Sequence, residues 1–299
     1  MLPTAILIGL ATSMLTPRAA DAGWCEPPCG VLLAASAVTQ GVANWKLIAP
    51  GIEFRWLVAK NPSPVGDSQI AVVRIDPTLW QLELVGRSRT GDSAGRTARE
   101  WAQTHGLAVA INAGMFGTDY KTHVGYMEYR GHVNSSVVNN YQSVVAFDPR
   151  NAKNQPLFRI FDLGEPGITM QSIRRDYASL VQNLRLIKKP GTNRWSKQDK
   201  KKWSEAALGE DKNGRILFVF SRSPFSMHDL NEELLSSGIG LVALQHLEGG
   251  PEAQLYVHVG DSELDLSGSY ETSFREDDEN TTAWPIPNVL GVKRRTAAK

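Results

Sequence analysis

Cysteine is nearly missing from this 299-residue chain, which has only Cys25 and Cys29, in Cys-Glu-Pro-Pro-Cys. Two thiols cannot supply the four ligands of a structural zinc site. In an oxidising compartment they could close a small loop, which excludes few unfolded conformations and stabilises little. Neither lies near the motifs described below, which argues against a nucleophilic cysteine. A charge imbalance is missing too: 32 Lys and Arg stand against 31 Asp and Glu, a net charge of +1. That balance gives no support for nucleic-acid binding. No apolar run is long enough to span a bilayer. The G-x-S-x-G elbow, the Walker loop and the H-E-x-x-H pair are all absent. The six histidines (His105, His123, His132, His228, His246 and His258) are scattered, without metal-site spacing. A divalent cation held by carboxylates is left open. There is no internal repeat and no low-complexity linker.

What is present is ordinary globular usage, 42% hydrophobic and 21% charged. The N-terminus stands apart. Ala5 to Ala11 form a short apolar core, and Ala20-Asp21-Ala22 fits a small-x-small cleavage site, although no Lys or Arg precedes the core. The expected organisation is a signal peptide over 1–22, a linker with Cys25 and Cys29 over 23–44, one domain over 45–292, and a disordered tail over 293–299. The expected location is the periplasm or outside the cell.

Along the domain, strand-like and helix-like stretches alternate. Gln69–Ile75 and Trp80–Val85 look like paired strands around Pro77. Ser93 can cap a helix carrying Ala94, Ala98, Trp101 and Ala102, ended by Gly106. Leu107–Ile111, Ser143–Phe147, Phe158–Phe161 and Arg215–Phe220 read as strands, Gly125–Gly131 as a hairpin arm, and Ile173–Val181 as a helix. Ser226 caps a helix through Leu235, with Asp229 as its partner. The expected fold class is α+β, a single domain with a mixed β-sheet and flanking helices.

The most loaded stretch is His246-Leu247-Glu248-Gly249-Gly250-Pro251-Glu252, which follows the apolar run Leu241–Leu244. A carboxylate at the end of a buried strand, followed by two glycines, suits a site floor. Gly249 and Gly250 allow a sharp turn and close backbone approach, and exposed amides favour an anion. A tight turn with a solvated Glu is an equally plain account. Earlier, the strand Leu107–Ile111 runs into Asn112-Ala113-Gly114-Met115-Phe116. Three further clusters could add chemistry. Gln182-Asn183-Leu184-Arg185, at an expected helix-to-strand junction, sets amides beside a guanidinium. Glu205 stands alone among apolar residues, as a buried carboxylate with a raised pKa or as an edge-strand charge. Ser221-Arg222-Ser223 follows a strand and offers an Arg fork for phosphate, or is a plain strand-to-helix loop.

Together, A-I-N-A-G-M-F and L-E-G-G-P resemble the motifs of the phosphodiester glycosidase family. The similarity is to its uncovering-enzyme-like bacterial branch, formerly a domain of unknown function, and it covers Trp45 to Val292. Family members usually show L-D-G-G where this chain has Glu248, and often an Arg-Thr pair near Trp203–Gly209, which is missing here. The resemblance implies hydrolysis of a sugar-1-phosphate diester at the anomeric carbon, with an envelope or extracellular glycan as substrate. Because phosphate leaves readily, a strong general acid is less necessary, and a carboxylate with phosphate-binding donors remains. Glu248 is the candidate catalytic carboxylate, with Glu205 second. Arg185 and Arg222 are candidate phosphate clamps. Asn112, Gln182, Asn183, Ser221, Ser223, His246, Gly249 and Gly250 complete the candidate substrate-binding set. Two other classes stay open. One is a non-catalytic glycan-binding envelope protein using Trp195, Trp203 or Tyr256 as platforms. The other is a metal-dependent phosphodiesterase cleaving P–O.

Overall fold

The computed structural model describes residues 44–197 and 200–296. The expected signal peptide and both cysteines lie outside these residues. Strand predominates, 45% against 13% helix, and every strand pair is antiparallel. The α+β expectation with a mixed sheet is therefore replaced by three antiparallel sheets.

The largest sheet has eight strands, in the order Lys46–Ala49, Ile52–Val58, Gln69–Ile75, Ile216–Phe225, Trp203–Asp211, Leu241–Gly249, Arg185–Lys188 and Thr192–Asn193. A second sheet orders His132–Ser135, Met127–Tyr129, Tyr177–Asn183, Ser143–Pro149 and Phe158–Asp162. The third orders Ser262–Ser267, Gln254–Val259, Val109–Asn112, Asn288–Arg294 and Trp80–Gly86.

Period-two alternation explains how the sheets share a core. Val73, Phe218, Ile111 and Val145 point into one apolar cluster fed by all three sheets. Their neighbours point the other way, each set under one helix. Val72 and Val219 pack with Leu230 and Leu234 of the helix Met227–Ser236. Ala110 packs with Trp101 of the helix Ala98–His105. Val144 packs with Ile173 of the helix Met170–Asp176. These strands are buried on both faces, so they carry the continuous apolar runs usual in helix-covered sheets. That is why they suggested an α/β mixture.

Several local expectations shift. Gln69–Ile75 and Trp80–Gly86 do not pair; they belong to the first and third sheets. The helix expected after Ser93 is Ala98–His105, capped by Thr97 rather than Ser93 in a capping box with Glu100, and Gly106 closes it with left-handed backbone. The expected helix Ile173–Val181 ends at Asp176, and Tyr177–Asn183 is strand. Ser226 does cap its helix, accepting from the Asp229 amide. Lys293 and Arg294, expected in the tail, complete the strand Asn288–Arg294 opposite Gln81 and Trp80. Among the described residues, no helix is long and apolar enough to cross a membrane.

Candidate functional site

The strands Trp203–Asp211 and Leu241–Gly249 are neighbours, and their register slips where Ala206 faces Glu248 but Ala207 faces His246. Leu247 is the extra residue. Bulges of this kind re-aim side chains, and here the slip falls between the two groups with the most chemical capacity. His246 Nδ1 lies 2.7 Å from Glu205 Oε1. The other carboxylate oxygen, Glu205 Oε2, accepts from Trp203 Nε1 at 2.7 Å. Glu205 thus holds both rings, which meet edge to face with centroids 6.1 Å apart. With Nδ1 engaged, Nε2 is the nitrogen left for a ligand.

His246 and Glu248 open onto a cleft of ≈ 460 Å³ with Met115, Phe116, Val124, Leu184, Trp203, Met227, Gly249, Glu252 and Glu271. Its electrostatics follow from burial. Loss of water pushes the Glu248 pKa up from its ordinary 4.5 to about 8; the charges of Glu252 and Glu205 add to this, while His246 and the Gly249 amide oppose it. Burial likewise raises Glu252, helped by Glu271, and raises Glu271 itself. Burial alone would lower His246, but the charge and hydrogen bond of Glu205, with Glu248 and Glu271, outweigh it and leave the imidazole raised. The cleft therefore offers a carboxyl that is protonated near neutral pH beside an imidazole whose protonated form Glu205 favours. No Lys or Arg is among the lining residues. Among the described residues, no group of three or more His, Cys, Asp or Glu is arranged to hold a metal ion.

The two glycines serve the protein more than a ligand. A Cβ on Gly249 would sit 2.8 Å from the Trp203 ring. Gly250 has φ +63°, and a Cβ there would lie 2.7 Å from Glu271 Oε2. The turn Gly250–Glu252 then carries the chain from the first sheet into Gln254–Val259 of the third.

The structure brings the two sequence motifs together at this turn. Asn112 Nδ2 donates to the Glu252 carbonyl at 2.8 Å, and Asn112 Oδ1 accepts from the Gln254 amide at 2.7 Å. Asn112 is thus spent on the scaffold, while Met115 and Phe116, just beyond it, reach the cleft. Asn183 Nδ2 supports the same loop by donating to the Ala113 carbonyl at 3.1 Å. Gln182 Nε2 braces Asn139 and Tyr141 through their carbonyls, at 3.0 and 2.7 Å. Both lie inside a strand, as the last two residues of Tyr177–Asn183, with only Leu184 before the next strand, and not at a helix-to-strand junction.

Other candidates sit apart from the cleft. Arg185 Nη1 binds both oxygens of Asp162, at 2.8 and 2.7 Å. Ser221, Arg222 and Ser223 are not in a loop but inside the strand Ile216–Phe225. Arg222 donates to Asp278 Oδ1 at 2.6 Å and to the carbonyls of Ser267, Asp278 and Asn280, so it ties down a loop. Ser221 Oγ donates to the Ser223 carbonyl, and Ser223 Oγ accepts from the Ser68 amide. Tyr256 is buried and offers no platform, whereas Trp203 lines the cleft. Sequence reasoning missed Glu252 and Glu271 as cleft groups. Glu252 lay four residues beyond Glu248, a usable signal; Glu271 arrives from a distant loop with no local signal.

The antiparallel scaffold thus presents, at a strand end, a cleft of carboxyl groups beside an imidazole. The phosphodiester glycosidase family matches residues 105–293, and the chain belongs to that family. Among solved structures, the chain is similar to the zebrafish N-acetylglucosamine-1-phosphodiester α-N-acetylglucosaminidase catalytic domain, auto-inhibited by its pro-peptide. That match has 14% identity and a TM-score of 0.58, over 85% of this chain and 87% of the other. A hypothetical protein from Synechocystis matches with 17% identity and a TM-score of 0.50, over 82% of this chain and 62% of the other. At these identities the likeness is one of fold. No curated protein matches the chain.

Proposed function

We propose that this protein hydrolyses a sugar-1-phosphate diester between the anomeric carbon and its oxygen, acting on an envelope or extracellular glycan. The observation that carries the proposal is His246, held by Glu205, beside Glu248 in a cleft walled by Met115 and Phe116. Family membership supports the reaction class.

In this scheme the C1–O bond breaks, the bridging oxygen leaves with the phosphate, and the oxygen of water takes its place on C1. Glu248, protonated near neutral pH, donates to the departing oxygen. As a carboxylate it then faces the positive charge developing at the anomeric carbon. His246, oriented by Glu205, which favours its protonated form, turns Nε2 to the non-bridging phosphate oxygens in this scheme. Glu252 and Glu271 are the remaining cleft carboxyls able to take the proton of water. The test is a screen of sugar-1-phosphate diesters with Glu248→Gln as control. Turnover of at least one diester, lost in the variant, is expected; equal turnover by the variant would remove Glu248 from the mechanism. Export is part of the same proposal, with cleavage after Ala22. N-terminal sequencing of the exported protein checks it, and intact Met1 on cytosolic protein contradicts it.

A further inference from the structure

His123 is buried, 1% exposed, and is not among the residues that line the cleft. It belongs to the hairpin that walls the cleft. Across that hairpin the Gly117 amide donates to the Thr122 carbonyl at 2.8 Å, and the Val124 amide to the Met115 carbonyl at 3.1 Å. Met115, Phe116 and Val124 face the cleft from it. The His123 ring fastens this hairpin to the second sheet. Nδ1 lies 2.8 Å from the Met115 carbonyl oxygen, and Nε2 lies 2.7 Å from that of Gln182. The His123 amide donates to Asn134 Oδ1 at 2.8 Å. Two glycines make room for the ring. A Cβ on Gly114, whose φ is +153°, would sit 2.5 Å from His123 Cε1, and one on Gly125 would sit 3.3 Å from Nε2.

A carbonyl oxygen only accepts. Two carbonyls, one on each ring nitrogen, both need a donor, and only an imidazolium has two. A neutral ring has one N–H, and its other nitrogen turns a lone pair on an oxygen at hydrogen-bond distance. Burial opposes the charge and pulls the His123 pKa below its ordinary 6.5, while the Gln182 and Met115 carbonyls pull the other way. The neighbouring elements offer the ring no carboxylate. Asn112–Phe116 and Tyr177–Asn183 carry no charged residue. On the hairpin itself, Asp119 is spent on Thr122 and the Lys121 amide, and the Lys121 residue is exposed. On His132–Ser135, His132 Nε2 meets Ser88 Oγ at 3.0 Å. On Met127–Tyr129, Glu128 is bound by Tyr126 and Arg174. Glu248, Glu252 and Glu271 line the cleft, which His123 does not reach.

We propose that His123 is a positioning residue that sets the cleft wall by a proton: as an imidazolium it ties Met115 to Gln182 through both ring nitrogens, and on losing the proton it keeps one carbonyl and frees the hairpin from the other. The wall carrying Met115, Phe116 and Val124 is then fastened in acid and released as the pH rises toward neutral. Charge-assisted bonds to the two carbonyls are what the proton adds. The device acts on the shape of the cleft and not on the reacting atoms. It goes beyond the proposed hydrolysis and does not require it.

The test is nitrogen-15 NMR of the full chain, labelled in histidine, from about pH 5 to about pH 8. Coupling across the hydrogen bond to a carbon-13-labelled Met115 carbonyl assigns His123 in the native protein, so the assignment does not depend on a variant that folds. In acid both ring nitrogens should carry protons and couple to their carbonyls. As the pH rises one coupling should vanish, at a midpoint below that of an ordinary histidine, and the Phe116 and Val124 amide signals should shift with the same midpoint. The Gln side chain in His123→Gln reaches one carbonyl and does not titrate, so its wall signals should stay fixed. With a diester that is hydrolysed, the KM of this variant should exceed the native value about fivefold at about pH 5 and match it at about pH 8, with kcat within about twofold throughout. A ring that carries a single proton across the whole range, or wall amides that do not follow the ring, overturns the proposal. The described NMR behaviour in a protein that turns over no diester leaves the wall device standing and removes the hydrolysis instead.

Discussion

Asn112 closes the strand Val109–Asn112, and Glu248 stands one residue from the end of Leu241–Gly249; the turn Gly250–Glu252 brings the two strand ends side by side. Both are polar groups at the mouths of buried strands, and both begin a recognisable motif. Their surroundings separate them. Asn112 spends its carboxamide donor and acceptor on the Glu252 carbonyl and the Gln254 amide. Glu248 accepts only the Gly249 amide, at 3.1 Å, among the described residues, and faces the cleft. A polar side chain whose hydrogen bonds are satisfied by backbone holds the scaffold. One left underpaired at a cleft, with a displaced pKa, is available for chemistry.

Substitutions should split along that line. Glu248→Gln should lower turnover about a hundredfold or more, with little change in melting temperature at pH 5, where the native carboxyl is also neutral. Glu205→Gln should cost about tenfold or more in turnover and move the His246 titration to lower pH, because the charge that raises it is gone. A pH–rate profile of the variant checks this; an unmoved profile means that Glu205 does not act through His246.

Asn112→Ala should do the reverse of Glu248→Gln. It strands the Gln254 amide and the Glu252 carbonyl in a tight turn, at a cost of about 1–3 kcal/mol in denaturant unfolding. Turnover of the protein that remains folded should stay within a few-fold. A collapse of turnover without loss of stability would place Asn112 in the chemistry instead.

Stability should depend on pH through the same cleft. Glu248 is raised from 4.5 to about 8, and Glu252, Glu271 and His246 are raised as well. The folded protein then binds more protons than the unfolded chain, so this stabilisation is complete below about pH 4.5 and is lost as the pH rises toward about 8. Melting temperature should fall between pH 5 and 8, and Glu248→Gln should flatten the slope. The smallest effect is expected for Arg222→Lys. Its fork holds Asp278 and three carbonyls away from the cleft, so KM should stay put while stability drops by roughly 1 kcal/mol.

Much of this was legible locally. The Ser226 cap, the strand running to Asn112 and the acid beside two glycines are short-range signals, and each matches an element of the structure. Less legible was anything that depends on partners far along the chain. Tyr177–Asn183 has enough apolar character to continue a helix from Ile173, and only its pairing with Ser143–Pro149 makes it a strand. Arg222 looked like a free fork because Asp278 lies 56 residues away. Glu205 is 41 residues from His246, so its hydrogen bond leaves no trace in local spacing. The antiparallel architecture was hidden for the same reason, since helix-covered faces and a shared core give both sides of a strand apolar residues.

Hydrolysis of a sugar-1-phosphate diester in oxygen-18 water tests the central claim most directly, because it reports which bond the cleft breaks. Attack at the anomeric carbon, with Glu248 beside the departing oxygen, predicts the label in the released sugar and none in the phosphate ester. Label in the phosphate would mean P–O cleavage and contradict the account.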